Sequence, residues 1–198
     1  MPDEEQPIPF AENVRLQWIV IAVIVLIPFV IFYAVENPTS NVAMVLFIEP
    51  SYTKVKKGLP IIDEFNSYVS LDDLTYDLTY KHYQYSVSNK NLSQGQKKPY
   101  ELNTVSVRNY VHLDQPGELA LTLFNDRLSY AVFYPYDEEA YKEEIDHSLK
   151  RALKFNETRH LNPYISLHYG KDLDGRFFFR WEDRRLVTEE LAWRMRHS

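Results

Sequence analysis

The spacing of hydrophobic positions changes several times along this chain, and each change marks an element. From Trp18 to Val35 the stretch WIVIAVIVLIPFVIFYAV is apolar on every side, with Arg15 the last charge before it and Glu36 the first after it. A helix in a soluble core keeps a polar stripe, and this stretch has none. With Leu16 and Gln17 it makes 20 uncharged residues. As a helix these would be roughly 30 Å long, the thickness of bilayer hydrocarbon. Residues 16–35 are therefore expected to form a transmembrane helix, with Trp18 near one interface, Phe32 and Tyr33 near the other, and a mild kink at Pro28. A cleaved signal peptide fits less well, because residues 1–15 form a short polar, acidic tail and no small-x-small site follows the apolar run.

Beyond a short polar stalk at 36–40, residues 41–198 are expected to make a single globular domain. The run from Asn41 to Pro50 reads as a buried strand, and Ser51 to Asn66 as an irregular lead-in with one helical turn. Ser70 followed by Asp73 is a capping pattern, and Leu71, Leu74 and Leu78 share one helical face, so a helix is predicted from Leu71 to Tyr80. Tyr83 to Val87 alternates weakly as a strand, and Ser88 to Pro99 reads as a mobile loop.

From Asn103 the period becomes two, with Val105, Val107, Val111 and Leu113 expected on one face as far as a turn at Asp114 to Gly117. Leu119, Leu121 and Leu123 continue beyond that turn, and a second turn at Asn125-Asp126 leads into Leu128 to Tyr134. The pattern predicts a three-stranded antiparallel meander. Asp137 then caps a helix running to about Lys154, with acids in its first half and Lys150, Arg151 and Lys154 in its last turn, as the helix dipole favours. A second hairpin is expected from Tyr164–Tyr169 and Arg176–Trp181 around GKDLDG, followed by a helix from Asp183 to Arg196. The fold class is thus α+β, a mainly antiparallel sheet with two or three helices, behind one transmembrane helix.

Composition narrows the function classes. A net charge of -6 supplies no basic footprint, which argues against a nucleic-acid partner. The absence of cysteine excludes disulfides, thiol nucleophiles and thiolate metal sites. Six histidines show none of the close spacings that share a metal, so neither a metal nor a cofactor is expected. Among five glycines there is no phosphate-binding loop or nucleophile elbow. Asp63-Glu64 and Asp72-Asp73 read as a surface turn and a cap rather than as acid and base. The sequons at Asn91 and Asn156 matter only where a secretory pathway glycosylates.

Two patterns remain. Fifteen tyrosines include the groups Tyr76, Tyr80, Tyr83, Tyr85 and Tyr130, Tyr134, Tyr136, Tyr141, which suit sheet packing or a contact surface. The pairs Asp126-Arg127 and Asp183-Arg184 both follow aromatic strand ends, and each is expected to be a turn whose Asp accepts from the turn's own amides while the Arg lies over Phe124 or Trp181. The expected function is a non-catalytic binding or assembly module of the cell envelope, held in the bilayer through residues 16–35 and meeting a protein or envelope polymer. The positive-inside bias of Arg15 puts the domain on the outer, periplasmic side of a bacterial inner membrane. The competing expectation is a membrane-bound hydrolase whose site is assembled from separated residues, with His112, Asp126, Arg127 and His168 as its candidates.

Overall fold

The computed structural model describes residues 24–33, 52–91 and 100–197. The chain divides into two compact units, Met1–Ser51 and Tyr52–Ser198. In the first, residues 24–33 form helix α1, and its large apolar side chains are exposed, from Val30 at 40% to Phe29 at 69%. Among the described residues no helix is long and apolar enough to cross a membrane. The remainder of the stretch 16–35, the stalk at 36–40 and the strand expected at 41–50 lie outside the described residues.

The second unit is α+β. Its elements are β1 (Pro60–Ile62), β2 (Phe65–Asn66), α2 (Leu71–Tyr80), β3 (Tyr85–Asn91), β4 (Glu101–His112), β5 (Gln115–Phe124), β6 (Leu128–Pro135), α3 (Glu138–Leu149), β7 (Thr158–His160), β8 (Ile165–Lys171), β9 (Phe177–Asp183) and α4 (Arg184–His197). Strands β3 to β9 form one antiparallel sheet in the order β3-β4-β5-β6-β9-β8-β7. The meander and the second hairpin are therefore not separate: β6 pairs with β9, Ala131 opposite Trp181 and Phe133 opposite Phe179.

Local chemistry sets the element ends. Ser70 accepts the Asp73 amide at 3.2 Å and Asp137 accepts the Ala140 amide at 3.0 Å, which start α2 and α3. Helix α3 stops at Leu149, earlier than its sequence suggests, because Lys150 turns into the left-handed region at φ 53° and donates to the carbonyls of Asp146 and His147. Arg151 and Lys154 thus lie past the helix and leave its dipole to His147. The β5–β6 turn has Asn125 and Asp126 as its two central residues, at φ 46° and 57°, residue types that tolerate this conformation, and the backbones of Phe124 and Arg127 bond each other to close it. The β4–β5 loop is likewise two residues, Leu113 and Asp114, so Gln115 to Gly117 belong to β5 and not to the turn. Gly117 is required there: a Cβ would stand 2.5 Å from the Tyr134 carbonyl oxygen and 2.5 Å from the Phe133 ring.

The lead-in contains the β1–β2 hairpin rather than a helical turn. Strand β3 runs to Asn91, into the segment expected to be a loop, whose residues 92–99 lie outside the described ones. Strand β7 has no counterpart in the sequence reading.

One face of the sheet carries the main core. Val105, Val107, Leu119, Leu121, Phe133, Leu167 and Phe179 pack there against Leu74 and Leu78 of α2 and Tyr141 and Ile145 of α3. A second, smaller cluster joins Tyr52, Tyr100 and Phe124 to Trp193 of α4, with the Tyr100 and Trp193 rings stacked at 4.0 Å.

Candidate functional site

His112 reaches the interior because β4 is bulged. Val105 and Val107 face the core, but the register shifts before Tyr110, where Asn109 adopts φ 53°. The shift turns Tyr110 and His112 inward and leaves Val111 51% exposed, the reverse of the face the unbroken alternation assigns it. The β1–β2 turn brings Asp63, itself at φ 46°, against both of them. Tyr110 donates its hydroxyl to Asp63 Oδ2 at 2.7 Å, and His112 Nδ1 donates to both carboxylate oxygens at 2.9 Å. Trp181, Tyr141 and Phe133 place their rings 5.4, 5.8 and 5.9 Å from the imidazole. Burial opposes the Asp63 anion, yet the hydrogen bonds from His112 and Tyr110 and the charges of His112 and Lys81 hold its carboxyl below the ordinary value. Burial, then the bond to Asp63, raises the Tyr110 phenol.

A carboxylate that orients an imidazole supplies two of the three members of a hydrolytic triad. No serine or threonine hydroxyl bonds His112 among the described residues, and the Tyr110 and Tyr141 hydroxyls of the cluster are phenols whose ionisation burial opposes. The pair ties the β1–β2 turn to the end of β4.

Arg127 is 1% exposed, directly after the β5–β6 loop. Its Nη1 donates to the Lys54 carbonyl and to Glu189 of α4, both at 2.9 Å, and its guanidinium lies 5.3 Å from the Phe124 ring centroid. Asp126 does not bond within its own turn; Oδ1 accepts the amide of Leu71 at 2.8 Å and so caps α2 from 55 residues away. Asp183 sits at the end of a strand instead of in a turn, fully buried and bonded to Arg185, while Arg184 donates to the Pro163 carbonyl and not to the Trp181 ring. The two Asp-Arg pairs therefore share no local geometry.

His168 lies on the opposite, outer face of the sheet, where Nδ1 is 3.0 Å from the Thr158 hydroxyl. His112 and Asp126-Arg127 flank opposite ends of β5, on the order of 30 Å apart along the strand. His112, Asp126, Arg127 and His168 thus occupy separate settings, each with its own partners, except that Asp126 and Arg127 adjoin. Among the described residues no group of three or more His, Asp or Glu side chains could hold a metal ion.

The outer face offers a different arrangement. Ser86, Ser106 and Ala120 are register partners on β3, β4 and β5, and their small side chains make a floor. Longer side chains rise around it: Arg108, Glu118, Tyr134 and Arg176. The result is a trough of about 310 Å³, adjoined by a hollow of about 210 Å³ that adds Gln84 and Tyr85. Arg176 bonds Glu118 at 2.9 Å and lies 4.2 Å above the Tyr134 ring, so one wall is braced. Farther along this face Arg180 pairs with Glu182 at 2.9 Å and stacks 4.1 Å over Tyr130. The sequence reading placed Asp63 in a surface turn without naming a partner for it, and it assigned no role to this trough. The signal for the trough is a run of small and polar residues at alternate positions opposite the valines and leucines of the core face.

No protein-family model matches the chain, and no curated protein does either.

Proposed function

We propose that this chain is a membrane-tethered binding module, with the outer face of its sheet as the binding surface. The observation that carries this reading is the contrast between the faces. The inner face is filled by α2 and α3, whereas the outer face has exposed Ser86, Ser106 and Arg108 around a concavity. The polar groups that a hydrolase would use have structural partners instead: Asp63 for His112, Leu71 for Asp126, Glu189 for Arg127 and Thr158 for His168. The apolar stretch 16–35 supplies the tether as a single transmembrane helix. The module then stands on the periplasmic side of a bacterial inner membrane, beside envelope proteins and polymers. With a net charge of -6, nucleic acid is not its partner.

A photoreactive residue placed at Ser106 in the cell tests this. Intact-mass measurement of the purified chain should find an adduct, and the same residue at the exposed Tyr76 of α2 should give none. Absence of a Ser106-specific adduct, together with a hydrolytic activity lost in His112→Ala, would replace the module with an enzyme.

A further inference from the structure

The trough on the outer sheet face combines polar groups of three kinds. The first is an unpaired cation. Arg176 is engaged by Glu118 and Asp172, and Arg180 by Glu182, but the exposed Arg108 has no ion pair among the described residues. Counting Arg108 and Arg176 against Glu118, the trough is positive by one charge in a chain of net charge -6. The second is a pair of hydroxyls. Ser86 and Ser106 are register partners at the floor, and neither hydroxyl has a hydrogen-bond partner among the described residues. The third is the carboxylate of Glu118, which Arg176 holds in place at 2.9 Å.

We propose that this trough binds a small anionic sugar, with its carboxylate or phosphate on Arg108 and its ring hydroxyls on Ser86, Ser106 and Glu118. The inference rests on the binding-module reading above and names the ligand class of that surface. The guanidinium fork fits a carboxylate or phosphate through two parallel bonds, which an ammonium does not reproduce. Serine hydroxyls both donate and accept, and Glu118 only accepts, so together they match a polyol and not a bare anion. The small Ala120 leaves room for a ring over the floor. At about 310 Å³ the trough stands at the lower end of small-ligand sites, and the adjoining hollow past Arg108 has room for a substituent or a next ring. Glu118 beside the two arginines disfavours a polyphosphate chain, which would meet its charge.

The full-length chain in detergent, titrated calorimetrically with glucuronate, glucose 6-phosphate, glucose, acetate and inorganic phosphate, tests the assignment. At least one anionic sugar should bind about ten-fold or more tightly than glucose, acetate or phosphate, and the better of the two identifies the anionic group. Arg108→Gln should remove that preference without lowering the melting temperature, Arg108→Lys should weaken it, and Ala120→Trp should block binding by filling the floor. Equal affinity for glucose and the anionic sugars, equal affinity for the bare anions, or unchanged binding in Arg108→Gln overturns the proposal. Absence of sugar binding alongside a persistent Ser106 adduct also overturns it, while leaving the binding-module reading in place.

Discussion

Asp63 and His112 are 49 residues apart in the chain and 2.9 Å apart in the fold. Their bond holds a short hairpin against the last residue of a twelve-residue strand, just beyond the bulge that breaks that strand's alternation. The carboxylate also receives the Tyr110 hydroxyl, so one side chain outside the sheet satisfies two inside it.

Acid should weaken this joint with a definite sign. The Asp63 carboxyl titrates below its ordinary 3.8 when folded, so the unfolded chain takes up its proton first. The stabilisation is present well above 3.8 and is lost as pH falls through the lower folded value. Asp63→Asn is expected to cost about 1–3 kcal/mol near neutral pH, by leaving two buried donors poorly matched. It should also flatten the acid end of the stability curve relative to the parent. Urea unfolding at about pH 7 and about pH 3 measures both effects. A variant with the parent's stability and the parent's acid slope would show that the bond contributes nothing.

Arg127 and Glu189 should behave as a coupled pair. Both side chains are nearly excluded from solvent, at 2% and 7%. Removing one leaves the other as a buried charge without its main partner, so Arg127→Met is expected to cost about 3–5 kcal/mol. Glu189→Met added to it should restore part of that loss. A double-mutant cycle by chemical denaturation gives the coupling. Additive losses would mean that Arg127 acts through Lys54 and Phe124 alone.

These two pairs mark the boundary of what the sequence makes legible. Helices α2 and α3 are readable because Ser70 and Asp137 cap their own helices, three residues away from the amides they serve. The β5–β6 hairpin is readable because Asn125 and Asp126 suit a two-residue loop. The bulge at Asn109 is not, since alternation on either side looks continuous and only pairing with β5 reveals the extra residue. Asp63 resembles a surface acid because its partners arrive from β4, and Asp126 resembles a turn acid because the amide it caps lies 55 residues earlier. Of the candidate site, His112 was visible as a residue but its carboxylate partner was not.

Placement in the membrane is tested separately from binding. Protease added outside intact spheroplasts should digest the domain beyond Glu36, because Arg15 is the cation nearest the apolar stretch and favours a cytoplasmic N-terminus. Protection of the domain until lysis would place it in the cytoplasm.

The pairing of β6 with β9 has a consequence for how the chain is made. Strands β3 to β6 are neighbours in the sheet in chain order and can zip as each follows the last, but β6 must wait for a partner that begins at Phe177, after α3, β7 and β8. During synthesis the centre of the finished sheet is therefore, for a time, its raw edge. A chain ended at Leu149 fixes that moment permanently, with the backbone of Tyr130 to Phe133 offered to any strand that meets it. Sedimentation should find such a chain self-associated where the whole protein is not, and a monomeric fragment would mean that α3 shields the edge until β9 arrives.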